Sequence, residues 1–201
     1  MLQAHCSVKI RAAMEIFLSS TAAVAIAEIG DKTQLLSLFL ASRFKQRYAI
    51  IAGILVATLF NHSASAWLGI WLLDLLPPGM APWIISGSFL LIALWLLIPD
   101  KQDDGPSSLD KYGAFVATTI LFFLVEIGDK TQIATVVLAA KYNEMFWVIT
   151  GTTLGMMIAN VPVVFAGRWL MDRLPLNYAR WGAFALFLAM ALITIATALS
   201  G

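Results

Sequence analysis

The sequence predicts an all-α integral membrane protein of six transmembrane helices, arranged as two inverted three-helix repeats. Three observations carry that prediction. The 201 residues are 60% hydrophobic and 12% charged, against about 45–50% and 25% for an ordinary soluble domain. Six long apolar runs follow one another between short polar breaks. One seven-residue word occurs twice, 98 residues apart.

The runs are Glu15–Ser42, Ala49–Leu73, Trp83–Ile98, Gly113–Ala140, Phe146–Leu170 and Trp181–Leu199. Charges, prolines and glycines fill the breaks between them, as expected of segments that end helices or turn the chain. A spanning helix uses about 20 residues, so six spans leave only short connections. That excludes a separate soluble catalytic domain. A net charge of +1 offers no basic surface for nucleic acid, and the single Cys6 makes no intrachain disulfide. The first and fourth runs are longer than a span requires, so each is expected to tilt, break or extend beyond the hydrocarbon. Lys9 and Arg11 precede the first run in the manner of a signal peptide. No short apolar core with a small-residue cleavage site stands out, and the first span is read as retained.

Glu28-Ile-Gly-Asp-Lys-Thr-Gln34 recurs as Glu126-Ile-Gly-Asp-Lys-Thr-Gln132. The same offset aligns Phe17 with Phe115, Gly53 with Gly151, Gly69 with Gly167, Trp71 with Trp169, Asp74 with Asp172, Pro77 with Pro175 and Trp83 with Trp181, without a gap. Residues 1–98 therefore form one three-span unit and 113–201 a second, joined by a linker loop at 99–112. An odd number of spans per unit makes the second enter the membrane from the opposite side. Cytoplasmic loops collect Lys and Arg. The breaks after spans one, three and five hold Arg43, Lys45, Arg47, Lys101, Lys111, Arg168, Arg173 and Arg180, against Lys9, Arg11 and Lys141 on the other side. This bias predicts both termini outside and the linker in the cytoplasm. It also swaps between the units, as an inverted repeat requires.

Four of the twelve acidic residues, Glu28, Asp31, Glu126 and Asp129, lie well inside apolar runs, all within the repeated word. A charge at the bilayer centre costs roughly 2.5–3.5 kcal/mol on insertion scales, so these carboxylates, with Lys32 and Lys130, need a function or a partner to offset them. On a helix, residues three apart share a face, which aligns Glu28, Asp31 and Gln34, and likewise Glu126, Asp129 and Gln132. Gly30 and Gly128 weaken the helix. An unwound turn there would free backbone carbonyls, as in the broken helices of transporters. Pseudo-symmetry would bring both words together as an oxygen cage of four carboxylates, the Gln34 and Gln132 amides and the Thr33 and Thr131 hydroxyls. With the two lysines its formal charge is −2, which a divalent cation neutralises. Oxygen cages suit Mg, Ca or Mn.

Two other readings of the same residues exist. Glu28–Lys32 and Glu126–Lys130 are spaced as intrahelical ion pairs, a purely structural role that leaves Asp31 and Asp129 unmatched. The lysines would alternatively replace the cation in an empty site. His62 aligns with Asn160, and these are accessory candidates for interhelical hydrogen bonding or, for His62, proton relay. Trp71, Trp83, Trp169 and Trp181 fit an interfacial belt.

The doubled word Glu-x-Gly-Asp-Lys-Thr in a six-span chain resembles the signature of the family that includes Golgi transmembrane protein 165, its yeast GDT relative and bacterial manganese exporters of the MneA type. The resemblance covers essentially the whole chain. It implies manganese or calcium transport in exchange for protons, with Glu28, Asp31, Glu126 and Asp129 as ligands, the cation as substrate and no cofactor. The compact chain points to manganese efflux across a bacterial inner membrane. A Ca2+/H+ exchanger is the alternative. An exporter of small organic solutes would need an anion-binding end that the acidic site lacks. An intramembrane aspartyl protease would use two symmetric Asp residues, but has no use for two extra Glu and two Lys.

Overall fold

Apolar composition and helix-forming runs give an all-helical chain. Residues 2–77, 79–98, 111–171, 173 and 176–200 of the computed structural model are described here. They form α1 (Leu2–Ala27), α2 (Lys32–Arg43), α3 (Arg47–Asp74), α4 (Ala81–Leu96), α5 (Gly113–Glu126), α6 (Lys130–Tyr142), α7 (Met145–Ala166), α8 (Arg168–Met171) and α9 (Leu176–Ser200). Most of the linker (99–110), together with Asp172 and Pro175, lies outside the described residues. Among the described helices, four are long and apolar enough to cross a membrane: α1 from Lys9, α3, α7 and α9. α4 and α5 are apolar but shorter, at 16 and 14 residues.

The two overlong runs resolve by breaking. The first becomes α1 and α2, the fourth α5 and α6, and each interruption falls on the repeated word. Gly30 and Gly128 adopt φ of +80° and +73°, a region that L side chains avoid and glycine enters freely. Asp31 and Asp129 then sit at the N-caps of α2 and α6 with almost the same extended backbone (φ −80°, ψ 166° and φ −79°, ψ 164°), and neither side chain caps its helix. The final residue of the word closes the turn instead. Gln34 Oε1 accepts the Gly30 N–H at 2.8 Å, and Gln132 Oε1 accepts that of Gly128. This is the logic of a capping box displaced by one residue.

The two units interlock. α3 runs beside the broken helix of the other unit: Gly53 abuts Phe115 and Thr118, Asn61 donates to the Phe123 carbonyl, and Gly69 abuts Val136. α7 does the same along α1 and α2. Gly151 meets Phe17 and Ser20, Gly155 meets Thr21 and Ala25, Gln34 donates to the Ala159 carbonyl, and Gly167 lies by Leu38. Under the offset of 98 the contacts of Gly53 correspond to those of Gly151, and that of Gly69 to that of Gly167. Glycine permits the approach, because a Cβ at Gly151 would lie 2.7 Å from the Phe17 carbonyl oxygen. Gly151 and Gly155 form a Gly-x-x-x-Gly stripe, the small-residue pattern of close helix packing in membranes.

α4 and α9 pack on each other, α4 also against α6 and α9 against α1. Phe89 and Phe187 meet at their centre with ring centroids 6.0 Å apart. One apolar core joins this pair to α1, α6 and the adjoining ends of α3 and α7. The other core, at the opposite ends of α3 and α7, joins α2 and α5 with Val24 of α1, and contains no described residue of α4 or α9.

Candidate functional site

The seven residues of the word supply the break, and the crossing of the units supplies the partner. Glu28 is the first residue after α1 and Glu126 the last of α5, and both are fully buried. Glu28, Glu126 and Asp129 each present a carboxylate oxygen such that all three lie within 4.8 Å of one another. Thr33 donates its hydroxyl to Glu28, and Thr131 donates to Glu126 at 3.3 Å. One oxygen on each of Glu28, Glu126 and Asp129 has no hydrogen-bond partner among the described residues. Like charges this close inside an apolar bundle repel strongly. A divalent cation is the chemistry that would convert that repulsion into attraction.

Not every predicted member joins this group. Asp31 stands outside the triplet and lines a small cavity with Lys130, Arg180, Leu96 and Ile98. Gln34 and Gln132 spend their amide oxygens on the turn glycines, and Gln34 spends its NH2 on the Ala159 carbonyl. Lys32 does not use the i, i+4 pairing with Glu28; its Nζ lies 3.3 Å from Asp129 Oδ1 in the other repeat. Lys130 donates to the Ile98 carbonyl at the end of α4, 3.1 Å away. Asn160 accepts from Ser37 at 2.8 Å and donates to the Met156 carbonyl at 3.1 Å. Sequence reasoning took Arg180 only as a topology marker, and no local pattern marks its place beside Asp31. The repeated words are identical, yet their surroundings differ. The Gly30 turn is packed under Leu176 of α9, whereas nothing lies within 4 Å of a Cβ at Gly128.

That difference makes a prediction about the turns. Gly128→Ala is expected to cost about 1–2 kcal/mol, the strain of a left-handed residue alone. Gly30→Ala is expected to cost more, because its methyl would lie 2.7 Å from Leu176 Cδ2. Thermal unfolding of the two variants in detergent tests the order.

Buried carboxylates converging from two breaks in apolar helices define a class: membrane proteins organised around an acidic centre in their interior. The family model described as divalent cation/proton antiporter GDT1 matches residues 16–104 and 114–201, and the chain belongs to this family. It is accordingly a membrane transporter whose substrate is a divalent cation, not an enzyme, and the protease reading is set aside. A Vibrio cholerae protein named "Putative manganese exporter" is 53% identical over 182 residues, 90% of each chain. A GDT1-like protein of Synechocystis is 26% identical over 172 residues, 75% of this chain and 82% of its own. No solved structure matches the chain.

Proposed function

We propose that the protein exports divalent cations, Mn2+ foremost, across a bacterial inner membrane in exchange for protons. Access alternates at a site built from Glu28, Glu126 and Asp129 with the Thr33 and Thr131 hydroxyls, and Asp31 lines the cavity beside it. The observation that carries this reading is the convergence of Glu28, Glu126 and Asp129 from both repeats at two interrupted helices. Mn2+ is the cargo named for the Vibrio cholerae relative that is 53% identical over 90% of the chain. Moving a divalent cation out of a negative cell costs roughly 4.6 kcal/mol per 100 mV, and inward protons would supply it. Protons landing on the carboxylates remove the charge that holds the metal. Each ion thus displaces the other.

In this reading the units are the predicted 1–98 and 113–201, inverted about the membrane plane, with 99–112 as a cytoplasmic linker and both termini outside. The inversion is supported by the path of the chain. α3 turns back from α2 through the short connection 44–46, yet runs in the same direction as α5 and α6 from Gly53 to Gly69. Moving one sequence unit rigidly against the other would tear apart the glycine contacts of α3 and α7. Displacing the α4–α9 pair would not, since it enters only one of the two cores.

The test is metal movement into proteoliposomes under an imposed pH gradient, comparing Mn2+ with Ca2+. Gradient-dependent Mn2+ flux is expected. Ca2+ flux in its place would select the calcium exchanger. Flux of neither metal through folded protein would sink cation transport and reopen small organic solutes.

Lys32 supplies a further prediction. Its ammonium beside Asp129 stands where a cation's charge would be, so the cation must displace it. Lys32→Met is expected to tighten Mn2+ binding about fivefold, the size of a partly exposed ion pair near 1 kcal/mol, and to slow proton-driven turnover. Titration of tryptophan fluorescence reads the first effect and flux the second. Weaker binding in the variant would show that Lys32 supports the site.

A further inference from the structure

Four helices enclose an axis beside the acids. α1 packs on α6, α6 on α4, α4 on α9 and α9 on α1, which closes a ring. Each of the four lends one half to a wide cavity and the other half to a narrow one. The wide cavity, about 540 Å3, is lined by Glu15 of α1, Ile85 of α4, Ala140 and Lys141 of α6, and Thr194 and Thr197 of α9. The narrow one, about 10 Å3, is lined by Ala27, Leu96, Lys130 and Ala183 of the same helices, with Asp31 and Arg180. Between the two, each helix contributes a fully buried apolar residue: Ala23, Phe89, Leu138 and Phe187. Ala27 adjoins Glu28 and Lys130 adjoins Asp129, so the narrow cavity lies beside the acids.

The α4–α9 pair is fastened differently at its two ends. At the narrow end it is tied to both breaks. Lys130 donates to the Ile98 carbonyl beyond α4 at 3.1 Å, and Leu176 of α9 packs over the Gly30 turn. At the wide end the hydrogen bonds among the described residues run within helix pairs. Ser86 of α4 donates to the Ala191 carbonyl of α9 at 3.1 Å, and the Ser19 and Tyr142 hydroxyls join α1 to α6 at 2.9 Å. What crosses there is a cation–π contact, with the Lys141 ammonium 5.5 Å from the Phe89 ring centroid. Size separates the ends as well. A cation carrying six waters needs about 180 Å3, at about 30 Å3 per water. The wide cavity admits it, and its carboxylate, ammonium and hydroxyls suit it to water. The narrow cavity holds one water at most.

We propose that the α4–α9 pair is the gate of the transport cycle, latched in this structure by Lys130 at the narrow end, and that the wide cavity is the aqueous vestibule through which the cation passes on the opposite membrane face. The proposal rests on the cation-transport reading above. Packing alone separates the vestibule from the acids, whereas a hydrogen bond to a charged group shuts the narrow end. Swinging the pair away at its wide end parts the apolar layer and joins the vestibule to the acids. Swinging it away at its narrow end breaks the Lys130–Ile98 bond and admits the cation from the other face. With both termini outside, the vestibule opens outward and the latch closes the cytoplasmic side.

The experiment places single cysteines in a Cys6→Ser chain held in lipid nanodiscs, where both faces meet a charged, water-soluble methanethiosulfonate reagent. Thr194→Cys and Ala140→Cys report the wide end, Leu96→Cys and Ala183→Cys the narrow one. A shut end opens only in minor states populated to about 10% or less, so the wide-end cysteines are expected to react at least about tenfold faster. Adding Lys130→Met is expected to speed modification of Ala183→Cys about tenfold, the size of one hydrogen bond to a charged group. In proteoliposomes, modification of Thr194→Cys or Ala140→Cys is expected to stop the Mn2+ flux that the same variant shows beforehand. Modification of Glu144→Cys, at the exposed start of α7, is expected to leave flux intact. Equal rates at the two ends, or no reaction at the wide end, would overturn the vestibule and the gate. Full modification of both wide-end cysteines with flux retained would take the vestibule off the cation's path. An unchanged rate at Ala183→Cys in Lys130→Met would overturn the latch. Absence of Mn2+ and Ca2+ flux in the unmodified Cys6→Ser parent would overturn the transport reading itself, whatever the labelling pattern.

Discussion

Glu126→Gln is expected to reduce cation flux by at least about 100-fold while leaving the cation-free protein no less stable than the wild type. The two effects separate because, in the proposed mechanism, the carboxylate serves the cargo and not the fold. Glu126 is fully buried, and one of its oxygens has no hydrogen-bond partner among the described residues. The isosteric amide keeps an oxygen to accept from Thr131 and removes a charge from a crowded trio. Breaking a buried charge–charge contact with the cation costs about 3–5 kcal/mol, and each 1.4 kcal/mol is about tenfold in affinity. Linkage supplies a second readout. A cation at 100 times its Kd stabilises the folded state by about 2.7 kcal/mol, so Mn2+ is expected to raise the melting temperature of the wild type and not that of Glu126→Gln. Glu144→Gln, at the exposed start of α7, is the control expected to retain flux. Unchanged flux in Glu126→Gln would remove the carboxylate site from the mechanism.

Gly151→Leu is expected to abolish accumulation of folded protein, and Gly53→Leu likewise. At Gly151 even a Cβ would lie 2.7 Å from the Phe17 carbonyl oxygen, and at Gly53 it would lie 2.9 Å from that of Phe115. These obstacles are helix backbone, which cannot swing aside as a side chain can. Overpacking by one side chain typically costs about 1–3 kcal/mol where neighbours can adjust, so a leucine pressed against backbone costs more. Folded domains hold only about 5–15 kcal/mol in reserve. Gly87→Leu on α4, where nothing lies within 4 Å of the added Cβ, is the matched control. Size-exclusion profiles in detergent decide the matter. Normal monodisperse peaks for Gly151→Leu would mean that α7 does not press on α1.

Much of the site was legible because its construction is local. The glycine that turns, the aspartate that opens the next helix and the glutamine that returns to the glycine N–H all fall within seven residues. The two copies therefore break their helices with nearly the same dihedrals. Where no water reaches, every interrupted backbone group must find its partner nearby, and a short word can specify that. The aligned glycines were visible too, although their use as crossing points between units was not. Nothing in the spacing said that α3 would lie along α5 and α6 rather than along its own α1.

By itself, then, the sequence determined the apolar helices, the duplication, the places where two helices break and the acids that those breaks carry. Only the tertiary structure decided which acids meet. Asp129 joins the two glutamates while Asp31 lines the cavity with Lys130 and Arg180, although the two aspartates sit in identical words. Lys32 reaches across to the opposite repeat, and His62 is buried with neither ring nitrogen hydrogen-bonded among the described residues. The physical reason is the range of the interactions. Backbone hydrogen bonding in lipid is satisfied within a few residues, whereas the partner of a buried charge is chosen by how distant helices approach one another, and that approach differs between the halves even where the residues do not.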